Sequence, residues 1–469
     1  MKYLIMFIAM AAFSMQPLRA LTVQSSAGGL PTALKGPTAA KVTDLTVTGE
    51  IDASDFKYIA DSLKALSKLD LSTAKVVAYS NRYALFGNRI NYPANEIPDL
   101  CFLGTQLKEV TLPAGTQAVG EGAFAGCSKL TTVSMPDGVT TIGDCAFSGA
   151  SELTTITGGK AISTIGNYAF KGCAKLRAMQ MDNVQTVGDY AFLDCTAFNR
   201  FTFSKNISHI GEGAFQGSGI RDIDLMNTHI DSIAPWTFAE MPDLEAAVLP
   251  AMESIGNGAF YGSSKLQRAS WSGALSEITD FAFMNTNIGC ENFLNEGIRE
   301  IGNYALADWS QPSSFIIPSS VERIGNHAFQ NWTNLKELIA YPVVPPTLGT
   351  DVWAGVDRGK VWLRVPQQAA SAYEEAEQWR DFSRQSGIEE TGDNSQATVA
   401  FDAGSIRLTA PSDIATATLY ALNGTMVATQ NPSLPEAVFN VSDTQAQVFI
   451  LRYVLANGRS GLFKIGKNK

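Results

Sequence analysis

Residues 165–170 read Ile-Gly-Asn-Tyr-Ala-Phe, and variants of this Ile-Gly-x-x-Ala-Phe motif return through the middle of the chain. We name the last residue of each copy its anchor, and consecutive anchors are separated by 22 or 23 residues every time. A constant period of this length indicates an internal repeat in which each copy forms one structural unit. The eleven anchors are Phe102, Phe124, Phe147, Phe170, Phe192, Phe215, Phe238, Phe260, Phe283, Leu306 and Phe329.

A second pattern lies between the anchors and has the form Leu-x-x-h-x-h, where h is an apolar residue. Residues 107–113 (Leu-Lys-Glu-Val-Thr-Leu-Pro) and 130–136 (Leu-Thr-Thr-Val-Ser-Met-Pro) show it most clearly. Such alternation is typical of a strand that is buried on one side. A proline ends the strand because it cannot donate to a sheet ladder. The sequence therefore predicts one short strand per turn of the repeat.

The two patterns together predict a solenoid. A unit with one short strand and one aromatic anchor cannot cover its own apolar side, so the copies must stack and each turn must bury the next. Parallel strands in such a stack lie about 4.8 Å apart. We expect a mainly β solenoid of about eleven turns whose ten phenylalanine anchors form the core. Each buried ring is expected to contribute roughly 1.5–3 kcal/mol.

The repeat resembles the BspA-like family of bacterial surface leucine-rich repeat proteins. The resemblance is carried by residues 165–170 together with Gly-Cys-Ala-Lys-Leu at 172–176, and it covers roughly residues 97–345. It implies a leucine-rich repeat solenoid, and members of the family are regarded as adhesins for host extracellular-matrix or other surface proteins. Irregular turns are expected where the motif is broken, at residues 234–237, Thr279 and Leu306.

The N-terminus has the pattern of a secretory signal peptide. An apolar run from Tyr3 to Phe13 follows Lys2; it is too short to cross a bilayer and has the length that signal peptides use. We predict cleavage after Ala20 and export to the cell surface or the medium, with the periplasm less favoured. No later segment is apolar for long enough to predict a membrane span. The first cysteine is Cys101, so no lipid-modified cysteine is expected at the cleavage site.

The sequences on either side of the array differ from the repeat and predict caps. A terminal turn without a cap exposes its core and its strand edge. A short amphipathic helix is expected near Phe56, and a helical run at residues 367–382. The predicted order is a signal peptide at 1–20, an N-terminal cap at 21–96, the solenoid at 97–345, a C-terminal cap at 346–387, a polar linker at 388–397 and a separate domain at 398–469.

The segment 398–469 alternates apolar and polar residues and contains Asn423-Gly424 and Asn457-Gly458. Asn-Gly pairs between strands mark tight hairpins, so we expect a small β-sandwich here. The segment also resembles the C-terminal sorting domains of type IX secretion in Bacteroidetes, which implies a role in export. A purely structural sandwich is the alternative.

The charge and the histidines argue against several classes of function. The chain has 35 Lys and Arg against 45 Asp and Glu, a formal net charge of −10, which argues against nucleic acid or an anionic membrane as a partner. His209, His229 and His327 fall at unrelated positions of the repeat, without a cysteine or carboxylate at metal-ligand spacing. No catalytic motif is found. We expect no metal, no cofactor and no enzymatic activity.

Two further columns of side chains follow from the repeat. Cys127, Cys173 and Cys195 each lie three residues after an anchor. Cys173 and Cys195 are near enough for a disulfide by turn spacing, but buried free thiols are favoured because that column needs a small apolar residue. A partial acidic column lies three residues before the anchors, and solvated turn charges are favoured over calcium ligands. Its members are Glu121, Asp144, Asp189, Glu212 and Asp280.

Recognition is expected on the outward side of the strands, at the x positions of Leu-x-x-h-x-h. Arginines there can pair bidentately with carboxylates, although scattered solubilising arginines are the alternative. The binding candidates are Arg177, Arg200, Arg221 and Arg268. We predict an exported, cell-surface or secreted protein that binds host or bacterial surface proteins. The alternative is a secreted glycan-binding or hydrolytic protein with its site in an end domain.

Overall fold

A computed structural model of the chain describes most of its residues and divides into two compact units, one ending at Ser204 and one beginning at Lys205. The predicted signal peptide up to residue 19 and residues 389–396 of the predicted linker lie outside the described part. No helix among the described residues is long and apolar enough to span a membrane. The described residues are 20–34, 39–199, 202–252, 254–271, 275–289, 293–382, 384–388, 397–402, 404–421, 426–442, 444, 448–455 and 460–466.

The first unit contains short strands and two short α-helices, α1 (Leu30–Ala33) and α2 (Ala53–Ser62), with a 3-10 turn at Ala39–Lys41. Its strands are β1 (Leu21–Ser25), β2 (Asp44–Ile51), β3 (Lys68–Asp70), β4 (Ala74–Val76), β5 (Tyr79–Ser80), β6 (Asn91–Tyr92), β7 (Glu96–Ile97), β8 (Glu109–Thr111), β9 (Ala118–Val119), β10 (Thr132–Ser134), β11 (Thr141–Ile142), β12 (Thr155–Thr157), β13 (Thr164–Ile165) and β14 (Thr186–Val187).

These strands form two parallel sheets and one small hairpin. In one sheet the order is β1-β2-β3-β8-β10-β12, with β4 beside β2; in the other it is β7-β9-β11-β13-β14. The strands β5 and β6 pair antiparallel. Because β3 pairs with β8, the sheet of the repeats continues into the segment predicted as a cap. The solenoid therefore has more turns than the anchors mark.

Each regular turn has two strands, so the prediction of one strand per turn is wrong. The isoleucine of the motif lies in the second strand, where Ile142 pairs in parallel with Ile165, and both side chains are buried. The glycine that follows permits close approach of two turns, because a Cβ on Gly166 would lie 2.6 Å from the backbone nitrogen of Asp144. Here the glycine is needed for space rather than for a left-handed backbone.

One segment with the strand pattern forms no strand. Residues 176–181 read Leu-Arg-Ala-Met-Gln-Met and have no regular secondary structure, although Met179 and Met181 are buried as the pattern predicts. The strands of neighbouring turns contain Val133 or Ile156 at the corresponding place. Residues branched at Cβ favour strands and methionine does so less, which accounts for the difference.

The anchors form the core of each unit. All ten phenylalanine anchors are fully buried, and in the first unit the rings of Phe124 and Phe147 stack with centroids 5.1 Å apart. The N–H of Phe124 donates to the carbonyl of Ala146 in the next turn at 2.7 Å. Alanine precedes most anchors, and its small side chain leaves room for the next turn to form both the hydrogen bond and the ring stack.

The second unit contains one α-helix, α3 (Ala370–Glu375), which is shorter than the predicted helical run, and 3-10 turns at Arg358–Lys360 and Gln367–Ala369. Its strands up to residue 388 are β15 (His209–Ile210), β16 (Asp222–Asp224), β17 (Ala246–Leu249), β18 (Ser254–Ile255), β19 (Arg268–Trp271), β20 (Glu277–Ile278), β21 (Glu300–Ile301), β22 (Ser314–Ile317), β23 (Arg323–Ile324), β24 (Glu337–Ala340), β25 (Thr347–Leu348), β26 (Trp362–Pro366) and β27 (Arg384–Ile388).

Parallel sheets again stack the turns of this unit. Their orders are β16-β17-β19, β22-β24-β26-β27 and β18-β20-β21-β23-β25. Leu306 interrupts the column of anchor rings, and Trp309 and Trp332, each three residues after an anchor, stack with centroids 5.4 Å apart. Phe293 packs against Trp309 at 5.0 Å. Aromatic packing therefore continues beside the irregular turn that the sequence predicts.

The C-terminal segment is one antiparallel sheet with a core of its own. The strand β29 (Ser405–Ala421) has an irregularity between Thr409 and Ile414. Before it β29 pairs with β28 (Thr398–Asp402) and β31 (Leu434–Asn440), and after it mainly with β30 (Met426–Gln430) and β32 (Val448–Leu455), with Ile414 still beside Leu434. The predicted Asn-Gly turns lie outside the described residues. The predicted leucine-rich repeat solenoid is confirmed, and the segment predicted as a small β-sandwich is antiparallel β structure whose described strands belong to one sheet. The strands are β28 (Thr398–Asp402), β29 (Ser405–Ala421), β30 (Met426–Gln430), β31 (Leu434–Asn440), β32 (Val448–Leu455) and β33 (Ser460–Gly466).

Candidate binding surfaces

The outward side of the first unit's strands is rich in hydroxyl groups. Thr132 lies beside Thr155, and Ser134 beside Thr157, on the paired strands β10 and β12. The hydroxyl of Thr157 donates to that of Ser134 at 3.2 Å, and the hydroxyl of Thr154 donates to a carbonyl of the preceding turn at 3.0 Å. The parallel pairing therefore holds the outward hydroxyls of successive turns in fixed register.

The predicted binding arginines have different surroundings. Arg177 is exposed in the first unit, in the segment without a strand, and Arg268 is exposed on β19 of the second unit. Arg221 is exposed but pairs with Glu245 at 2.7 Å. Arg200 lies outside the described residues. Asp222 is exposed on β16 of the second unit, so the positive side chains of that unit alternate with carboxylates.

Several exposed charges of the repeats are joined in pairs from one turn to the next. Lys175 pairs with Glu152 at 2.7 Å in the first unit, and Lys265 with Asp243 at 2.7 Å in the second. Exposed pairs of this kind contribute only about 0–1 kcal/mol each. Arg177 and Arg268 form no such pair with a described residue.

A column of aromatic side chains at the turns is a surface feature that the sequence reasoning missed. The residue two before the anchor has a left-handed backbone, with φ of 56° at Tyr168, 58° at Phe281 and 54° at Tyr304. The half-buried rings of Phe281 and Tyr304 stack at 5.3 Å, and that of His327 follows at 4.7 Å. Tyr168 stacks on Tyr190 at 5.2 Å in the first unit. The sequence signal that could have revealed this column is the aromatic residue that recurs directly before Ala-Phe.

The acidic column predicted as solvated turn charge belongs to a ladder of hydrogen bonds. The Oδ1 atom of Asp144 accepts from the N–H of Asn167 at 2.8 Å, and Oδ1 of Asn167 accepts from the N–H of Asp189 at 2.8 Å. In the second unit Asp280 accepts in the same way from Asn303 at 2.6 Å. These side chains thus join consecutive turns. Among the described residues no group of three His, Cys, Asp or Glu is placed to hold a metal ion.

The cysteine column supplies hydrogen-bond donors. Cys127, Cys173 and Cys195 are buried and free, and the thiol of Cys173 donates to the carbonyl of the preceding anchor, Phe147, at 3.2 Å. Other residues of this column do the same: the Ser263 hydroxyl donates to the carbonyl of Phe238 at 2.9 Å, and the Trp332 indole to that of Leu306 at 2.6 Å. In these turns the column therefore supplies a donor as well as filling space, although Ala150 and Met241 occupy the same column without a side-chain donor.

Burial raises the pKa of the Cys173 thiol to about 12, so at neutral pH the thiol is protonated and can donate its hydrogen bond. We expect Cys173→Ser to keep the hydrogen bond and Cys173→Ala to lose it. The alanine variant should therefore be less stable than the serine variant by about 1 kcal/mol. Urea unfolding of the two variants measures this difference, and an alanine variant as stable as the serine variant would show that the thiol serves only to fill space.

The histidines lie outside two clefts that are lined by described residues. His209 and His229 are exposed, while His327 is half-buried in the aromatic column. A cleft of about 370 Å³ lies between helix α2 and the turn of Phe102. A second cleft, of about 380 Å³, lies at the turn of Trp353. Neither cleft contains a histidine, and the one cysteine beside the first cleft, Cys101, is buried.

Comparison with known proteins gives one family and several related structures. The BspA-type leucine-rich repeat region matches the sequence in 6 copies, over residues 95–221, 180–286 and 231–343. A leucine-rich repeat protein of Bacteroides ovatus is 20% identical, with 66% of this chain and 90% of that one covered and a TM-score of 0.41. The leucine-rich repeat protein of T. pallidum is 26% identical, with 34% and 77% covered and a TM-score of 0.31. A leucine-rich cell surface protein of Faecalibacterium prausnitzii is 18% identical, with 66% and 87% covered and a TM-score of 0.32. A search among curated proteins finds no match.

Proposed function

Since the chain belongs to the family of BspA-type leucine-rich repeat proteins, we propose that it is an exported, non-enzymatic protein that binds host or bacterial surface proteins as an adhesin. The observation that carries the proposal is the fixed register of outward side chains on paired strands, such as Thr132 beside Thr155. A surface that is ordered before binding loses little conformational entropy on association. Such a surface suits recognition of another protein and does not require a catalytic pocket.

Incubation of the purified protein with immobilised matrix proteins, bacterial surface proteins and a glycan panel tests the function directly. Saturable binding to at least one protein ligand is the expected result. Binding confined to glycans, or hydrolysis of a panel member, would favour the alternative of a glycan-binding or hydrolytic protein.

Within this function we assign the arginines Arg177, Arg200, Arg221 and Arg268 to the binding surface. Arg177 and Arg268 are the strongest candidates, because both are exposed and their guanidinium groups have no partner among the described residues. Replacing both by serine should weaken binding to an acidic protein ligand about tenfold at low salt, which corresponds to roughly 1.4 kcal/mol. The salt dependence of binding should also decrease, because fewer charges are screened.

The matched control replaces Lys175 and Lys265 by serine. These lysines are exposed and carry the same total charge, but each is already paired with a carboxylate of the preceding turn. Surface plasmon resonance at two salt concentrations compares the variants, and thermal unfolding checks that neither pair affects stability. Equal losses in both double variants would mean that net charge, and not these arginines, determines binding.

We further assign residues 398–469 to type IX sorting. The segment has its own buried core, which includes Ile406, Leu419 and Phe449, so we expect it to fold apart from the repeats. Ending the chain after Ile388 should leave the thermal midpoint of the repeats unchanged. In a host with type IX secretion the same truncation should prevent delivery of the protein to the cell surface.

Cell fractionation and unfolding measurements check the two parts of this prediction separately. An unrelated exported cargo protein fused to residues 398–469 is the positive control for delivery. Surface delivery of the shortened chain would exclude the sorting role, and a lowered midpoint would show that the C-terminal segment supports the repeats.

A further inference from the structure

Backbone hydrogen bonds join each regular turn to the next one around the anchor. The N–H groups of the anchor and of the residues two before and two after it donate to carbonyls that are themselves two residues apart. At the turn of Phe329 the distances are 3.0, 3.0 and 2.7 Å, for His327 to Thr350, Phe329 to Val352 and Asn331 to Ala354. Every such turn thus presents three donors to a neighbouring segment of five residues.

In the last turn the same three donors have no partner. Trp353 occupies the anchor position, since its ring stacks on Phe329 with centroids 4.7 Å apart. The backbone N–H groups of Asp351, Trp353 and Gly355 make no hydrogen bond to any described residue. The Nε1–H of Trp353 is also buried and without a partner. Buried donors without a partner are rare in folded proteins, and among these groups the indole N–H of Trp353 is such a donor. Asp351 and Gly355 are exposed, so their backbone N–H groups are accessible to a ligand.

The segment after helix α3 covers the core of the last turn but not its backbone. Trp379 and Phe382 pack against the ring of Trp353 at 5.7 and 5.3 Å. The side chain of Gln378 does not bond to any of the three donors. Its Oε1 accepts from the N–H of Val352 at 3.0 Å, and its Nε2 donates to the carbonyl of Gly349 at 2.6 Å. The aromatic core is closed, and the three donors remain beside an open cleft.

This cleft has a volume of about 380 Å³ and lies between the last turn and residues 377–381. Asp351, Trp353 and Gly355 line one side of it, and Arg380 lies on the other. Arg380 is exposed, and its guanidinium group has no partner among the described residues. The volume falls at the lower end of the range for ligand sites, which suits a narrow ligand.

We propose that this cleft binds a short peptide segment of a partner protein through the peptide's main chain. Carbonyls at alternate residues of the peptide accept from the N–H groups of Asp351, Trp353 and Gly355, as the next turn does elsewhere in the repeat. Main-chain bonds of this kind supply affinity in strand addition, and pockets for side chains supply specificity. Because Trp379 and Phe382 already cover Trp353, the residue of the peptide opposite Trp353 is small.

The spacing of the donors favours a peptide over a small anion. The donors recur at every second residue, and in the interior turns their acceptors are carbonyls at every second residue of another chain segment, as at Thr350, Val352 and Ala354. A single phosphate or carboxylate group does not supply such a series of acceptors. A peptide has carbonyls at the same interval. The site is independent of the strand surface proposed above, and the inference goes beyond that function.

Panning a random heptapeptide phage library on the full chain tests the proposal. We expect enriched peptides that contain small residues, and we expect bound peptide to slow hydrogen exchange of the amides in residues 349–356. Ala354→Phe, which places a ring in the cleft, should weaken binding of the enriched peptide at least tenfold. The matched control is Ala125→Phe, because Ala125 occupies the same position of an interior turn, where the chain already contains the aromatic residue Tyr261.

Several outcomes overturn the proposal. They are a library that enriches no peptide, an enriched peptide that leaves exchange in residues 349–356 unchanged, and equal loss of binding in the two alanine variants. Competition by millimolar inorganic phosphate that abolishes peptide binding would assign the cleft to an anion instead. Because the exchange measurement uses the parent protein, it decides the matter even if Ala354→Phe does not fold.

Discussion

Replacing Phe170 by alanine is expected to destabilise the first unit by about 3–5 kcal/mol. The ring is fully buried and stacks on Phe147 at 5.3 Å and on Phe192 at 5.2 Å. The backbone ladder fixes the positions of the neighbouring turns, so they cannot close the cavity that alanine leaves. Urea unfolding of the purified chain, followed by hydrogen exchange of the first unit, measures the loss.

Phe170→Leu is the matched control for this prediction. Leucine occurs naturally in the anchor column at Leu306, which is also fully buried. We expect the leucine variant to lose clearly less stability than the alanine variant, because more of the buried volume is kept. An alanine variant with unchanged unfolding would contradict the assignment of the anchors as the core of the solenoid.

Replacing Asp55 by alanine is expected to destabilise the N-terminal end of the first unit by about 2–6 kcal/mol, on the basis of about 1–3 kcal/mol for each of the two buried donors left unpaired, the N–H groups of Leu30 and Asp52. The Asp55 carboxylate is fully buried and accepts from the N–H groups of Gly28, Leu30 and Asp52 at 2.8, 2.9 and 3.0 Å. It thus joins helix α2 to the start of helix α1. Faster hydrogen exchange in residues 21–34 should accompany the loss.

Asp61→Ala provides the comparison for Asp55→Ala. Asp61 lies on the same helix, is 56% exposed and pairs only with Lys57, so its removal should change stability by less than about 0.5 kcal/mol. Similar losses in the two variants would mean that the general charge of helix α2 matters and that the three hydrogen bonds of Asp55 do not.

The core of the repeat was predictable because it depends on residue type at a fixed period. An interior position of a solenoid must be apolar in every copy, so Phe124 and Phe147 could be recognised without knowledge of the backbone. The second strand of each turn was not predictable in this way. It is only two residues long, as at Thr141–Ile142, and the periodicity of a strand needs several residues to become visible.

Features that depend on backbone groups were also missed. Cys173, Ser263 and Trp332 have little in common as side chains, and their shared role appears only when the carbonyl of the preceding anchor is known. The aromatic column depends on left-handed backbone conformations, as at Tyr304, which are unfavourable for residues other than glycine and are not expected from residue type. The three donors of the last turn lack partners because no further regular turn follows them among the described residues. The sequence pattern alone does not show that these backbone groups are left without acceptors.

The cross-turn columns have a consequence for how this gene changes in length. Asp144 and Asn167 occupy equivalent places and bond to each other, and the same holds for the anchors and for the isoleucines that begin each motif. Loss of residues 143–165 would join Ile142 directly to Gly166 and leave all columns in phase. Turns of 22 and of 23 residues both occur in the array, so one turn can absorb the loss of a single codon, whereas the loss of several codons would move the columns on its two sides out of phase. Recombination between copies can therefore lengthen or shorten the array in whole turns while selection removes most intermediate changes, so relatives should differ in the number of their turns far more than in the length of one turn.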